Sequence, residues 1–126
     1  IKNVVCSRDT VDIYNPKAVQ STMGSLCRVK IHYKDLESLL EEFHGKKHFI
    51  IYGSFMDGDN IYNTNLSNRG FVVIGSESHG ISKELDSVIS IRLTIPNFSE
   101  NTYKPDSLNA SVATGIICSE FLRRKE

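Results

Sequence analysis

The residues most able to do chemistry stand in one turn, Gly75-Ser-Glu-Ser-His-Gly80. It follows the apolar run Phe71 to Ile74, and an apolar strand entering a glycine-bounded turn is how an α/β protein builds a ligand loop. The spacing Gly75-x-Glu77-x-x-Gly80 is that of a dinucleotide-binding turn, with Glu77 where the central glycine would stand. A carboxylate at that point would repel a pyrophosphate, which argues against NAD. A nucleophile elbow needs glycine two residues before its serine, and Ser78 has Ser76 there, which argues against a hydrolase. Two readings stay open on spacing alone. The turn grips a ligand that has a positive centre or is held through backbone groups, or it is a plain turn in which Glu77 accepts backbone hydrogen bonds and Ser82 caps a helix. His79 is a candidate general base and equally an exposed turn residue.

A second stretch, Ser107-Leu-Asn-Ala-Ser111, opens the last predicted helix. Ser107 and Asn109 can each serve as its N-cap, and the same two polar side chains at a positive helix end would suit a phosphate or a reacting hydroxyl. His44 and His48 have the spacing of zinc ligands on a helix, but Gly45 lies between them. His44 reads instead, with Lys46 and Lys47, as a cation at a helix C-terminus, and no metal site is expected.

The elements that must position these residues alternate in type. Strands are predicted at Asn3 to Ser7, Cys27 to Tyr33, His48 to Phe55, Phe71 to Ile74 and Ile91 to Ile95. Helices are predicted from Pro16 to near Gly24, from Leu36 to His44, after Ser82, and from about Ser107 to Arg124. A polar loop is expected at Asp57-Gly58. In the last helix Leu108, Val112, Ile116, Ile117 and Phe121 form the expected apolar face. Strands alternating with helices imply an α/β fold with a mostly parallel sheet covered on both faces. In such sheets ligands bind beyond the carboxyl ends of the strands, where Gly53-Ser54, Gly75 to Gly80 and Pro96 to Ser107 would meet.

A length of 126 residues fits one domain, and 15 Lys and Arg against 15 Asp and Glu give no net field to attract a polyanion. Any such partner must be gripped by a local patch or by residues outside this sequence. Three scattered cysteines, Cys6, Cys27 and Cys118, read as buried free thiols of a reducing compartment, and a cytoplasmic location is expected. No run is long and apolar enough for a membrane span. The chain begins at Ile1 and enters a strand almost at once, so it reads as part of a longer protein.

Taken together, GSESHGIS, IRLTIP and SLNASVATGIICSE resemble the second and third motifs of the SpoU (TrmH-like) RNA ribose methyltransferases. NPKAVQSTMGSL resembles that family's N-P-K-x-V-R-x-S-x-G segment, and IYGSF stands where the family has a strand ending in a small polar residue. The resemblance implies an α/β fold with a deep trefoil knot, which no spacing argument would suggest because knots are almost absent from proteins. It also implies a homodimer, S-adenosylmethionine as cofactor, and methylation of a ribose 2′-hydroxyl in RNA, rRNA in preference to tRNA. Position by position, it implies that Gly75, Ile95 and Leu108 bind the cofactor through backbone groups, with Ser54 and Gly80 nearby. Glu77, Ser107 and Asn109 match its functional polar positions.

The family's first motif, N-x-G-x-x-x-R with an arginine that activates the hydroxyl, is not found in these residues. Ser76 replaces a common Asn, Gln20 a common Arg and Asn97 a common Met, and the stretch from Ile95 to Ser107 is longer than usual. The chain by itself is therefore expected to be weak or inactive in catalysis. Two other readings stand beside this one: a non-catalytic RNA-binding or dimerisation module of the same fold, and a Rossmann-like nucleotide-binding enzyme domain.

Overall fold

The structure, a computed structural model, describes residues 1–98 and 108–124. The chain divides into two compact units, Ile1–Leu39 and Leu40–Glu126.

In the first unit, β1 (Asn3–Cys6) pairs in parallel with β2 (Lys30–Tyr33), from Asn3 opposite Lys30 to Cys6 opposite Tyr33. The crossover carries α1 (Pro16–Ser21), which starts as the sequence dictates. Asn15 Oδ1 accepts from Lys17 N at 3.0 Å, and Pro16 lacks the N–H that a first helical position would leave unpaired. The Tyr33 hydroxyl donates to Val11 O and accepts from Ile13 N, both at 2.9 Å, which pins the loop beyond the strand ends. The expected strand start at Cys27 is overturned. Gly24, at φ +79°, opens a 3-10 turn over Ser25–Arg28, and extended backbone resumes only at Val29. α2 (Leu36–Phe43) has Asp35 Oδ1 accepting from Ser38 N at 3.3 Å at its start. Gly45, at φ +75°, follows its end.

In the second unit, a three-stranded parallel sheet runs in the order β4 (Gly70–Val73), β3 (Ile50–Asn60), β5 (Ile91–Thr94). β3 is central, and its neighbouring Ile51 and Tyr52, both at 0% exposure, point to opposite faces. Ile51 packs with Leu40 and Val88, joined by Phe71, Val73, Leu85 and Ile89. Tyr52 packs with Ile61, Leu93 and Ile117, joined by Phe121. Its ring meets Phe121 edge-on at 5.0 Å, and its hydroxyl accepts from Ser67 N at 2.7 Å. Both faces are therefore covered, as a parallel sheet requires.

Beyond shifts of one or two residues, three elements of this unit depart from the predicted bounds. β3 does not stop at Phe55. Ser54 and Asp59 both pair with Leu93, so Phe55 to Gly58 bulge out and the expected Asp57-Gly58 loop is an outpouching within a strand. α3 (Lys83–Asp86) is shorter than the pattern implies, because Ser90 N donates to Ile51 O at 2.7 Å and draws the chain into the sheet. α4 (Ala110–Arg123) starts at Ala110, with Asn109 as its cap. Its buried stripe is Ala113, Ile117 and Glu120, whereas Leu108 and Val112 are 46% and 53% exposed. Leu108 precedes the helix and so does not share its periodicity.

The far end of α4 is clasped by a buried carboxylate. Glu120, 5% exposed, accepts from Arg123 Nε at 2.9 Å and from Arg124 Nε at 2.7 Å. Arg124 also donates to the carbonyls of Thr64, Tyr62 and Ile61, beyond the end of β3. The Arg123 hydrogen bond, more than any other contact, lowers the Glu120 carboxyl to about 2.

The trefoil threading implied by the resemblance depends on the path of residues 99–107 between β5 and α4. That path and Ser107 lie outside the described residues.

Candidate functional site

Beyond the carboxyl ends of β3, β4 and β5 lies an open cleft of about 1170 Å³. The outpouching supplies one wall, from Ser54 to Asp57, and the turn from Gly75 to Ile81 supplies a second. Ile95 to Phe98 follow β5, and Leu108, Ala110 and Ala113 bring the first turns of α4 to the cleft.

The turn is built by its glycines. Ser76 N donates to Gly80 O at 3.0 Å and Gly80 N to Ser76 O at 2.9 Å, closing it on itself. Gly80 takes φ +69°, and a Cβ on Gly75 would stand 2.3 Å from the Gly80 carbonyl carbon. No larger residue fits at position 75 without opening the turn. Ser82 Oγ then accepts from Leu85 N at 3.3 Å and starts α3, as the sequence implies.

Glu77 does not point idly into solvent. Its Oε1 accepts from Asn109 Nδ2 at 2.6 Å and from Ala110 N at 3.3 Å. Asn109 Oδ1 meanwhile accepts from Ser111 N at 3.0 Å and Val112 N at 3.4 Å. One asparagine thus caps α4 and ties it to the glycine turn. The helix start that seemed suited to a phosphate already carries a carboxylate. His79, exposed at the rim, has Nδ1 2.6 Å from Ser78 Oγ.

Among the described residues that line the cleft, the charged side chains are Asp57 and Glu77, and none is Lys or Arg. Around them are apolar groups, Ile74, Ile81, Ile95, Leu108 and Ala113. Such a lining favours a ligand with apolar parts and a positive centre, and disfavours a pyrophosphate.

The structure therefore brings Gly75, Glu77, Gly80, Ser54, Ile95 and Leu108 to one cleft, with Asn109 bonded to its wall. The sequence reading missed the outpouching and what holds it. Arg92 Nη1 donates to both oxygens of Asp86 at 2.8 and 2.9 Å, and Nη2 to Asp57 Oδ1 at 3.1 Å. Its guanidinium carbon lies 3.5 Å above the Phe55 ring. The hydrogen bond from Arg92 holds the Asp57 carboxyl below the usual carboxylate range. The available signal was an arginine inside the otherwise apolar IRLTI.

Known proteins share this fold. A putative RNA methyltransferase of the TrmH family from Porphyromonas gingivalis is similar at 36% identity and TM-score 0.87, over 99% of this chain and 50% of that one. The SpoU methyltransferase AviRb from Streptomyces viridochromogenes, solved with AdoMet, shares the fold at 22% identity and TM-score 0.81, over 98% of this chain and 49% of that one. The 23S rRNA (guanosine(2553)-2′-O)-methyltransferase RlmP of Bacillus subtilis is 26% identical over 117 residues, 90% of this chain and 44% of its own length. The chain thus spans about half the length of these relatives. The profile of the SpoU rRNA Methylase family matches residues 1–119, and the chain belongs to that family.

Proposed function

We propose that this chain is the cofactor-binding part of an S-adenosylmethionine-dependent RNA 2′-O-ribose methyltransferase. The observation that carries this is an open cleft at the strand ends whose charged lining, among the described residues, is Asp57 and Glu77, with the Glu77–Asn109 link along one wall. A sulfonium-bearing ligand fits that lining, and AviRb, of the same fold, was solved with AdoMet.

When bound, S-adenosylmethionine supplies an electrophilic methyl group on a sulfonium. Gly75, Ile95 and Leu108 would hold it through backbone groups, with Ser54 and Gly80 beside them. Glu77 sets the distance between the glycine turn and α4, and Asn109 and Ser107 orient the nucleotide. In-line transfer depends on such positioning, and the weakly acidic 2′-hydroxyl further needs a group that stabilises its oxyanion. The side chains assigned here do not include that group. The chain alone then binds cofactor but transfers methyl slowly.

The RNA partner, rRNA by analogy with RlmP, is supported by charge placement. The first 34 residues hold Lys2, Arg8, Lys17, Arg28, Lys30 and Lys34 against Asp9 and Asp12, while the rest of the chain carries the acidic excess. All six cations are exposed, and the ion pairs among the described residues involve none of them. A neutral total therefore hides a basic segment. Homodimerisation is proposed through the outer side of α4, where Val112 and Leu122 are 53% and 45% exposed. The three cysteines are unpaired but not buried as the sequence implied, since Cys27 is exposed and Cys6 and Cys118 are half-buried; a cytoplasmic location is proposed from their being free thiols.

Titration calorimetry with S-adenosylmethionine, S-adenosylhomocysteine and NAD tests the reading. Binding of the two sulfur ligands without NAD is expected. Silence of both sulfur ligands at millimolar concentration, or heat with NAD alone, would overturn it.

A further inference from the structure

We propose that Arg92 is a positioning residue that locks two walls of the cleft to each other without touching what binds there. Arg92 stands on β5 and is not among the residues lining the cleft. Its side chain is 39% exposed and is held from three directions. On one side it meets the outpouching, through the Phe55 ring and Asp57 Oδ1. On the other its Nη1 donates to both oxygens of Asp86, the last residue of α3.

α3 is the direct continuation of the glycine turn. Asp86 N donates to Ser82 O at 2.9 Å, and Ser82 follows Ile81, whose backbone N would lie 2.5 Å from a Cβ on Gly75. A movement of Asp86 is thus passed within a few residues to the wall that holds Gly75, Glu77 and Gly80. The outpouching needs such a hold because Phe55 to Gly58 have no ladder partner on β5. Apart from Arg92, it is fixed by Thr94 Oγ1 donating to Met56 O at 3.0 Å and by the close seat of Gly58 on the Arg92 backbone. One planar guanidinium supplies Nη1 to Asp86, Nη2 to Asp57 and a stacked face to Phe55, and lysine can supply only a point charge.

The ligand readout rests on the adenosylmethionine reading, and the exchange readout does not. In hydrogen exchange of the ligand-free chain, Arg92→Lys and Arg92→Ala are expected to speed exchange in 55–58 and in 76–81 together, leaving 50–53 and 110–121 unchanged. Asp57→Asn, a milder change that leaves the sheet intact, is expected to speed 55–58 alone. S-adenosylhomocysteine affinity should fall on the order of tenfold in Arg92→Lys, as for outer residues that orient a binding group. Faster exchange in one wall only, or uniformly across the sheet, would overturn the proposal, as would unchanged exchange. Coupled exchange with no ligand binding by the unaltered chain would leave the Arg92 lock standing and remove the cofactor reading.

Discussion

Asn109 Nδ2 donates to Glu77 Oε1 at 2.6 Å, joining the turn after β4 to the first residue before α4 across 32 positions of sequence. The same asparagine caps the helix through Oδ1. Its two ends therefore do separable work, and substitutions can take them apart.

Asn109→Asp keeps an N-cap acceptor but sets a carboxylate against Glu77. Asn109→Ala loses both functions, and the lost cap alone costs about 1 kcal/mol. Thermal unfolding should rank the variants Asn109 above Asp above Ala. S-adenosylmethionine affinity should drop in both, and recovery is expected when Asn109→Asp is combined with Glu77→Gln. Failure of that pair to recover would show that the link does not set the cleft.

The two glycines of the turn should respond differently. At Gly75 an added Cβ meets Gly80 backbone at 2.3 Å, so Gly75→Ala must open the turn, and ligand binding should be lost. At Gly80 there is open space and φ is +69°. Gly80→Ala should cost about 1 kcal/mol of backbone strain and Gly80→Asn less, with binding retained in both. Calorimetry and melting temperature of the three variants check this.

Glu120 predicts the shape of the acid limb. Its carboxyl sits near 2 in the folded chain against 4.5 as its ordinary value, chiefly through the Arg123 hydrogen bond. A depressed carboxylate stabilises above its unfolded value, and that contribution fades as pH falls from about 4.5 toward 2. The melting temperature should fall across this window, and Glu120→Gln should lower it at pH 7 while flattening the fall. An acid limb of equal slope in Glu120→Gln would assign it to other carboxylates.

RNA binding should depend on salt through the basic first segment. Replacing Arg8 and Lys34 by Gln should reduce the slope of log affinity against log salt by about 0.7 for each single-strand phosphate that is no longer neutralised. S-adenosylmethionine binding should be unaffected, since neither residue lines the cleft. An unchanged slope in filter binding would move the RNA-binding surface elsewhere.

Much of this was legible in the sequence because it depends on local pattern. The run around Ile51 and Tyr52 reads as a buried strand, and glycines mark the turn after β4. The cap at Asn15-Pro16 needs only its own residues. What was not legible depends on tertiary geometry. That Ser54 and Asp59 share Leu93 cannot be seen from HFIIYGSFMDGDN, so the arginine holding the outpouching also passed as one polar residue in a strand. Leu108 was counted into the helical stripe because apolar spacing does not reveal where a helix begins. The position of Glu77 was read as a choice between ligand loop and turn, and the structure gives it a partner that neither reading named.

The shared partner of Ser54 and Asp59 also bears on how such a chain can change over generations. Because pairing leaves and returns at the same residue of the neighbouring strand, the ladder itself sets no length for the segment between them. Residues gained or lost there, so long as Phe55 and Asp57 stay within reach of Arg92, would reshape one side of the cleft while the sheet, its two packed faces and the opposite turn kept their places. Deletions and insertions are ruinous in most strands, and here they would act as a means of varying what the cleft admits.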